Sequence, residues 1–92
     1  MQYFLICYDI EQDTRRNRMA KCLLRWGRRV QYSVFEMACK SQADYKRLCA
    51  ELEKIRQADD NVRIYCFNQN TRMQSGELNG QPMRHCPAVI IL

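Results

Sequence analysis

Asp9 is the first residue whose type and place could support chemistry, because it stands where a run of apolar residues stops. Position alone favours an aspartate that simply starts a turn. One carboxylate alone is too few to hold a catalytic ion, but Mg²⁺ prefers octahedral oxygen coordination and keeps several waters, so one or two carboxylates with phosphate oxygens suffice. A dimer that placed a second Asp9 opposite the first could bind Mg²⁺, or another hard cation such as Mn²⁺, with phosphate oxygens completing the shell. This metal site is therefore a hypothesis about a dimer.

Basic residues follow Asp9 at a spacing that suits nucleic acid. Arg18, Lys21 and Arg25 lie three and four positions apart, so in a helix they form one ridge. Such a ridge could follow a phosphate backbone in a salt-dependent manner that does not read sequence. Arg15 and Arg16, one loop after Asp9, add to the same basic stretch. Spacing alone is equally compatible with a solvated helix surface.

The composition allows one small basic domain. Fifteen Lys and Arg against ten Asp and Glu leave a formal charge of +5, and eleven of the fifteen are Arg, whose planar fork suits phosphate. Many soluble proteins carry such a surface without binding anything, so charge favours nucleic acid only modestly. Ninety-two residues lie near the size at which a single core becomes marginal. Association of two copies would add burial.

The cysteines and the apolar runs indicate a reducing, cytoplasmic environment. Six cysteines are scattered without a CxxC pair, and most lie in or beside apolar runs, where free thiols pack as small hydrophobes. No apolar stretch approaches the roughly 20 residues of a membrane helix, and no leader pattern opens the chain. Zinc is disfavoured because His85-Cys86 is the only close pair of suitable ligands.

Strand-like and helix-like segments alternate along the chain and must position these residues. The expected segments are a buried strand Tyr3–Tyr8, an amphipathic helix Thr14–Trp26 capped by Asp13 or Thr14 and ended by Gly27, an alternating segment Arg29–Met37, a helix Ser41–Arg56 and a strand Val62–Phe67. This order predicts an α+β, ferredoxin-like βαββαβ fold, with an antiparallel sheet and both helices on one face. A symmetric homodimer would cover the other face.

The segment Arg29–Met37 is either one long strand or two short strands joined by a bend. Alternation assigns Val30, Tyr32 and Val34 to the core and leaves Phe35 on the opposite face among polar neighbours. A large aromatic side chain in that setting is typical of an interface.

The last quarter of the chain lacks periodicity. Residues Asn68–Pro87 are polar and contain glycine, and the apolar segment Ala88–Leu92 follows. We predict a core at residues 1–67, with residues 68–92 forming a linker and an edge strand of the same domain. A terminal strand that crosses to the sheet of a partner would explain both the long tether and the apolar end.

Three blocks resemble one family in order and spacing. They are Tyr8-Asp9-Ile10, Arg16-Asn17-Arg18 and the segment RVQYSVFE at Arg29–Glu36, and the resemblance spans about Met1–Phe67. The chain resembles the CRISPR-associated protein two family. The resemblance implies a homodimer that joins the CRISPR integrase subunit and holds protospacer DNA during spacer acquisition. It also implies a metal-dependent endonuclease acting on RNA or DNA.

The same resemblance implies roles for individual residues. Asp9 would be the magnesium ligand, with Tyr8 beside it at the catalytic site. The positions tied to activity or to nucleic-acid contact would be Arg16, Arg18, Arg29 and Phe35. Two alternatives remain open at this point: a scaffold without catalytic activity, and a toxin-like ribonuclease of similar fold.

Overall fold

One antiparallel sheet and the helices packed on it make up the described structure. The computed structural model describes residues 1–76 and residue 78. Its elements are β1 (Gln2–Asp9), α1 (Asp13–Trp26), β2 (Gly27–Gln31), β3 (Val34–Cys39), α2 (Gln42–Ile55), β4 (Asn61–Phe67) and α3 (Gln69–Gln74). The strands lie in the order β2-β3-β1-β4, which makes β1 a central strand between two antiparallel neighbours. The predicted ferredoxin-like α+β fold is confirmed.

The two faces of the sheet differ in what covers them. On β1, Phe4, Ile6 and Tyr8 are buried in one core with the apolar sides of α1 and α2, and we call this side the covered face. Leu5, Cys7 and Asp9 point the other way because successive strand residues alternate. We call that side the open face, and α3 approaches it at Tyr3, where the guanidinium carbon of Arg72 lies 5.1 Å from the centre of the ring. Asp9 thus ends a central strand on the open face.

The segment after α1 forms two strands. β2 and β3 are joined by a turn at residues 32–33, and the register between them shifts between Arg29 and Gln31. The sequence leaves open one long strand or two short strands, and the structure has two short strands. The shift is a β-bulge, which leaves one residue unpaired and redirects the side chains that follow it.

The predicted faces of this segment are wrong. Phe35, expected away from the core, is 0% exposed, whereas Val30 and Tyr32, expected in the core, are 40% and 65% exposed. Val34 is half-buried and pairs with a residue of the open face. The turn and the bulge each break the alternation, so a pattern that counts every second residue cannot be carried across them.

Helix α1 begins and ends about where predicted, but its capping residue and the backbone conformation at its end differ from expectation. Gln12 caps the helix, in place of Asp13 or Thr14, because its Oε1 accepts the backbone N–H of Arg15 at 2.7 Å. Gly27 follows the helix as predicted, but its backbone is extended. A Cβ there would lie 2.2 Å from the carbonyl oxygen of Glu36, so close strand packing requires the glycine.

Part of the segment predicted to be irregular is helical. α3 occupies residues 69–74 within the predicted loop Asn68–Pro87. Asn68 caps it, since its Oδ1 accepts the backbone N–H of Thr71 at 2.9 Å. Six residues are too few to display a helical period, so hydrophobic periodicity could not indicate this helix. The predicted strand Ala88–Leu92 lies outside the described residues, and the boundary at residue 67 stays a prediction.

Two further predictions concern thiols and membranes. The five cysteines within the described part of the chain are all free thiols, namely Cys7, Cys22, Cys39, Cys49 and Cys66. Among the described helices, none is both long enough and apolar enough to cross a bilayer.

Candidate functional site

Asp9 and Tyr8 leave the sheet on opposite faces. Asp9 is exposed at the end of β1, opposite Asn61 of β4. Tyr8 is 5% exposed on the covered face, and its hydroxyl group has no hydrogen-bond partner among the described residues. The two residues predicted to act side by side are therefore separated by the thickness of the sheet. Only Asp9 is open to a metal ion or a substrate.

An acidic cleft of about 610 Å³ surrounds the end of β1. Its lining residues are Asp9, Glu11, Gln12, Arg15, Asp59, Asp60 and Asn61. The residues from the loop before β4 were not predicted as neighbours of Asp9, because they are far away in sequence. A smaller depression of about 280 Å³ is also lined by Asp9, together with Cys7, Tyr8, Asn61 and Arg63.

The donor chemistry at Asp9 suits a hard cation but is incomplete in one chain. Carboxylate oxygens are what Mg²⁺ prefers. Within residues 1–76 and 78, however, no three carboxylate, imidazole or thiol groups are placed to hold a metal ion together. The described part of one protomer thus offers no complete set of protein ligands, and an ion bound at Asp9 would need further ligands from water, phosphate or a second protomer.

Four residues on the covered face form a stack of rings and one guanidinium group. The rings of Tyr8 and Phe35 are stacked with their centres 6.1 Å apart. The guanidinium carbon of Arg29 lies 5.3 Å from the centre of the Phe35 ring and 5.1 Å from that of Tyr32. We call these four residues the stacked column. Such cation–π contacts join β2, the turn and β3 into one unit with β1.

The stacked column changes what can be expected of two predicted residues. Phe35 is entirely buried, so it contributes packing and offers no surface to a bound strand. Arg29 is exposed, and its Nε donates to the backbone carbonyl oxygen of Tyr32 at 2.9 Å. Tyr32 is 65% exposed and was not singled out from the sequence as a site residue.

Arg16 fixes the loop that follows Asp9. Its Nη1 donates to the carbonyl oxygens of Ile10 and Glu11, each at 3.1 Å, and its Nη2 pairs with the carboxylate of Asp13. The pKa of Arg16 is raised above its ordinary value, first by the hydrogen bond to Asp13 and then by one to Tyr32. Arg16 therefore connects the exit of β1 with the start of α1 and with the β2–β3 turn.

Arg15 is engaged in an internal ion pair. Its Nε and Nη2 donate to the two carboxylate oxygens of Asp60 at 2.8 and 3.0 Å, and the carboxylate is 3% exposed. Asp60 also accepts the backbone N–H of Gln57 at 3.0 Å. These contacts, that to Arg15 first, lower the pKa of Asp60. The geometry gives Arg15 a structural role and does not support its predicted contact with nucleic acid.

The basic ridge lies on the surface of α1, as the spacing predicts. Arg18, Lys21 and Arg25 are all exposed. Arg25 lies 3.4 Å from a carboxylate oxygen of Glu51 on α2, a distance typical of a weak surface pair. No ion pair of Arg18 or Lys21 is found within the described part of the chain. Their binding of phosphate stays a prediction.

This geometry defines a class of protein: a small ferredoxin-like fold in which an exposed aspartate ends the first strand. The family model described as CRISPR associated protein Cas2 matches residues 1–74. The chain therefore belongs to the Cas2 family of CRISPR-associated proteins.

Individual relatives resemble most or all of the chain. The Synechocystis sp. protein named CRISPR-associated endoribonuclease Cas2 3 is 37% identical, and the alignment covers 100% of both chains. A chain in a structure described as a partial Cas6-RT-Cas1–Cas2 complex has a TM-score of 0.82 and 33% identity, with all of both chains covered. The crystal structure of Streptococcus pyogenes Cas2 at pH 6.5 has a TM-score of 0.71 and 27% identity, covering 83% of this chain and 98% of that one.

Proposed function

We propose that this protein is the small subunit of a CRISPR adaptation complex. It works in the cytoplasm as a homodimer and binds nucleic acid beside the integrase subunit. It also cleaves phosphodiester bonds with the help of Mg²⁺. Its membership of the Cas2 family supports the general role. The similarity to a chain of a Cas1–Cas2 assembly supports the partner, and the name endoribonuclease of its relatives supports the activity.

The observation that carries the dimeric metal site is the position of Asp9. Its carboxylate is exposed on the open face, which also carries the half-buried side chains of Leu5 and Cys7. Two copies meeting through their open faces would bury these apolar residues and bring the two Asp9 side chains to one axis. Such an isologous contact uses the same patch twice, which suits a chain too small to bury much surface alone.

In this arrangement each residue has a separate task. The Asp9 carboxylates of both protomers would hold the ion, and Arg16 would keep the loop after β1 in place through its bonds to two backbone carbonyl groups. Arg18 and Lys21 would bind phosphates of the strand farther along. When bound, Mg²⁺ would polarise a phosphate oxygen and lower the pKa of a coordinated water.

Replacing the carboxylate tests this proposal. Asp9→Asn keeps the size of the side chain and removes its charge, so we expect cleavage of single-stranded RNA or duplex DNA with Mg²⁺ to fall by about 100-fold or more. The purified full chain is assayed with Mg²⁺, with Mn²⁺ and with a chelator. Asp59→Asn, which removes a carboxylate from the same cleft, is the matched control and should retain cleavage. Spacer acquisition in cells that contain the integrase subunit is measured in parallel.

The two assays separate the catalytic role from the scaffold role. Lost cleavage with retained acquisition would leave the adaptation subunit in place and make its nuclease dispensable. Loss of both, with the dimer intact by analytical ultracentrifugation, would argue against a pure scaffold. A wild-type chain that stays monomeric and binds no polynucleotide at low salt with Mg²⁺ would contradict the proposal as a whole.

A further inference from the structure

Tyr32 is an aromatic residue on the surface for which the core has no need. It stands in the turn between β2 and β3, and 65% of its surface is exposed. The other two rings of the stacked column, Tyr8 and Phe35, are 5% and 0% exposed. The column therefore begins in the core and ends in water.

The contacts of Arg29 hold the outer ring in place. Its guanidinium carbon contacts the rings of both Phe35 and Tyr32, at 5.3 and 5.1 Å from their centres. Its Nε also bonds to the backbone carbonyl oxygen of Tyr32 at 2.9 Å. The ring is thus restrained before any ligand arrives, which lowers the entropy cost of binding to it.

The guanidinium group of Arg29 places a positive charge beside this ring. An aromatic ring beside a guanidinium group suits a flat, π-rich group attached to phosphates, which is the chemistry of a nucleotide. An apolar protein segment would gain little from the charge.

We propose that Tyr32 is a base-stacking residue: an unpaired base of a single-stranded nucleic acid lies on its exposed ring and extends the stacked column by one layer, while Arg29 offsets the charge of a neighbouring phosphate. The proposal rests on the proposed function and specifies part of its substrate. Single-stranded RNA and single-stranded DNA share this chemistry. A duplex keeps its bases paired inside, so duplex binding should not use Tyr32.

The test measures binding without cleavage. The full-length protein is titrated, in chelator, against a fluorescent single-stranded RNA, a single-stranded DNA of the same sequence, and the corresponding DNA duplex. Tyr32→Ala and Tyr32→Leu should weaken single-strand binding by about tenfold or more, because stacking on one aromatic residue is lost. Tyr32→Phe, which keeps the ring, should recover most of the affinity. Leu24→Ala removes an exposed side chain elsewhere on the protein, on α1, and serves as the control.

Each result has a definite meaning. Loss with Ala and Leu, recovery with Phe and unchanged duplex binding support the proposal, and the two single strands tell whether the ribose matters. The proposal is overturned if Tyr32→Ala binds single strands within about twofold of the wild type, or if single-strand and duplex binding fall together. Because no metal is present, these outcomes do not depend on Asp9, and the proposed cleavage can survive the failure of this inference.

Discussion

The covered face and the open face of the sheet use neighbouring residues for opposite purposes. At the end of β1, Tyr8 packs into the stacked column on the covered face, and Asp9 stands exposed on the open face. The pleat of a strand makes this separation unavoidable for successive residues. A short sequence block thus combines one side chain that builds the fold with one that is free to bind.

The comparison affects how loss of activity should be interpreted. A change at Phe35 or Arg29 disturbs the unit that joins β1, β2 and β3, because both residues belong to the stacked column. A change at Asp9 removes an exposed carboxylate and leaves the packing intact. Both kinds of variant could lose activity, but only the first should also lose stability.

The largest effect that we expect comes from Phe35→Ala. The side chain is fully buried, so its removal leaves a cavity and should lower the free energy of unfolding by about 3–5 kcal/mol. Asp9→Asn should change it by less than about 0.5 kcal/mol in metal-free buffer. Urea denaturation, followed by the fluorescence of Trp26, measures both variants at one protomer concentration, since association would contribute to the apparent stability.

Phe35→Leu is the graded control, because it retains an apolar side chain and should lose less stability than the alanine variant. If Asp9→Asn destabilised the protein as much as Phe35→Ala does, the two faces would not differ in the way described. The carboxylate would then have to be counted as part of the folded framework.

The general fold could be predicted because its signals are local. The apolar run before Asp9 is β1. The helix predicted to start at Ser41 does so because the Ser41 hydroxyl group caps α2, accepting the backbone N–H of Asp44 at 3.2 Å. The orientation of Phe35 could not be predicted. It depends on a turn and a bulge that interrupt the alternation, and the sequence has no marker for either.

The candidate site was predictable only in part. Asp9 was identified because a polar residue that ends a buried strand is conspicuous without any partner. The engagement of Arg15 was not visible, because Asp60 lies 45 residues away and approaches only when α1 and the loop before β4 come together. Tyr32 was assigned to the core and Phe35 to the opposite face because one alternation was carried across the turn and the bulge.

A smaller effect concerns the basic ridge, which lies outside both faces. We expect the double variant Arg18→Glu, Lys21→Glu to weaken binding of duplex DNA by about tenfold or more at fixed salt, since each lost phosphate contact changes the dependence of log K on log salt by about 0.9. A salt titration measures both quantities. The control is Lys46→Glu, Lys54→Glu, which makes the same change in net charge on exposed positions of α2. Equal losses in the two double variants would mean that net charge, not the ridge, determines binding.

The smallest effect concerns Asp60, which shares the cleft with Asp9 but is held by Arg15. The pKa of Asp60 is lowered in the folded chain, first by its hydrogen bond to Arg15 and then by that to Gln57. Its ionised form therefore stabilises the fold above the ordinary carboxyl pKa of about 4, and this contribution is lost as the pH falls through the lower, folded value. Denaturation midpoints of the wild type should decrease over this range, and Asp60→Asn, which cannot titrate, should show a lower midpoint near neutral pH and a shallower decrease. Parallel curves for the two proteins would contradict a structural role for this carboxylate and leave it, like Asp9, available for binding.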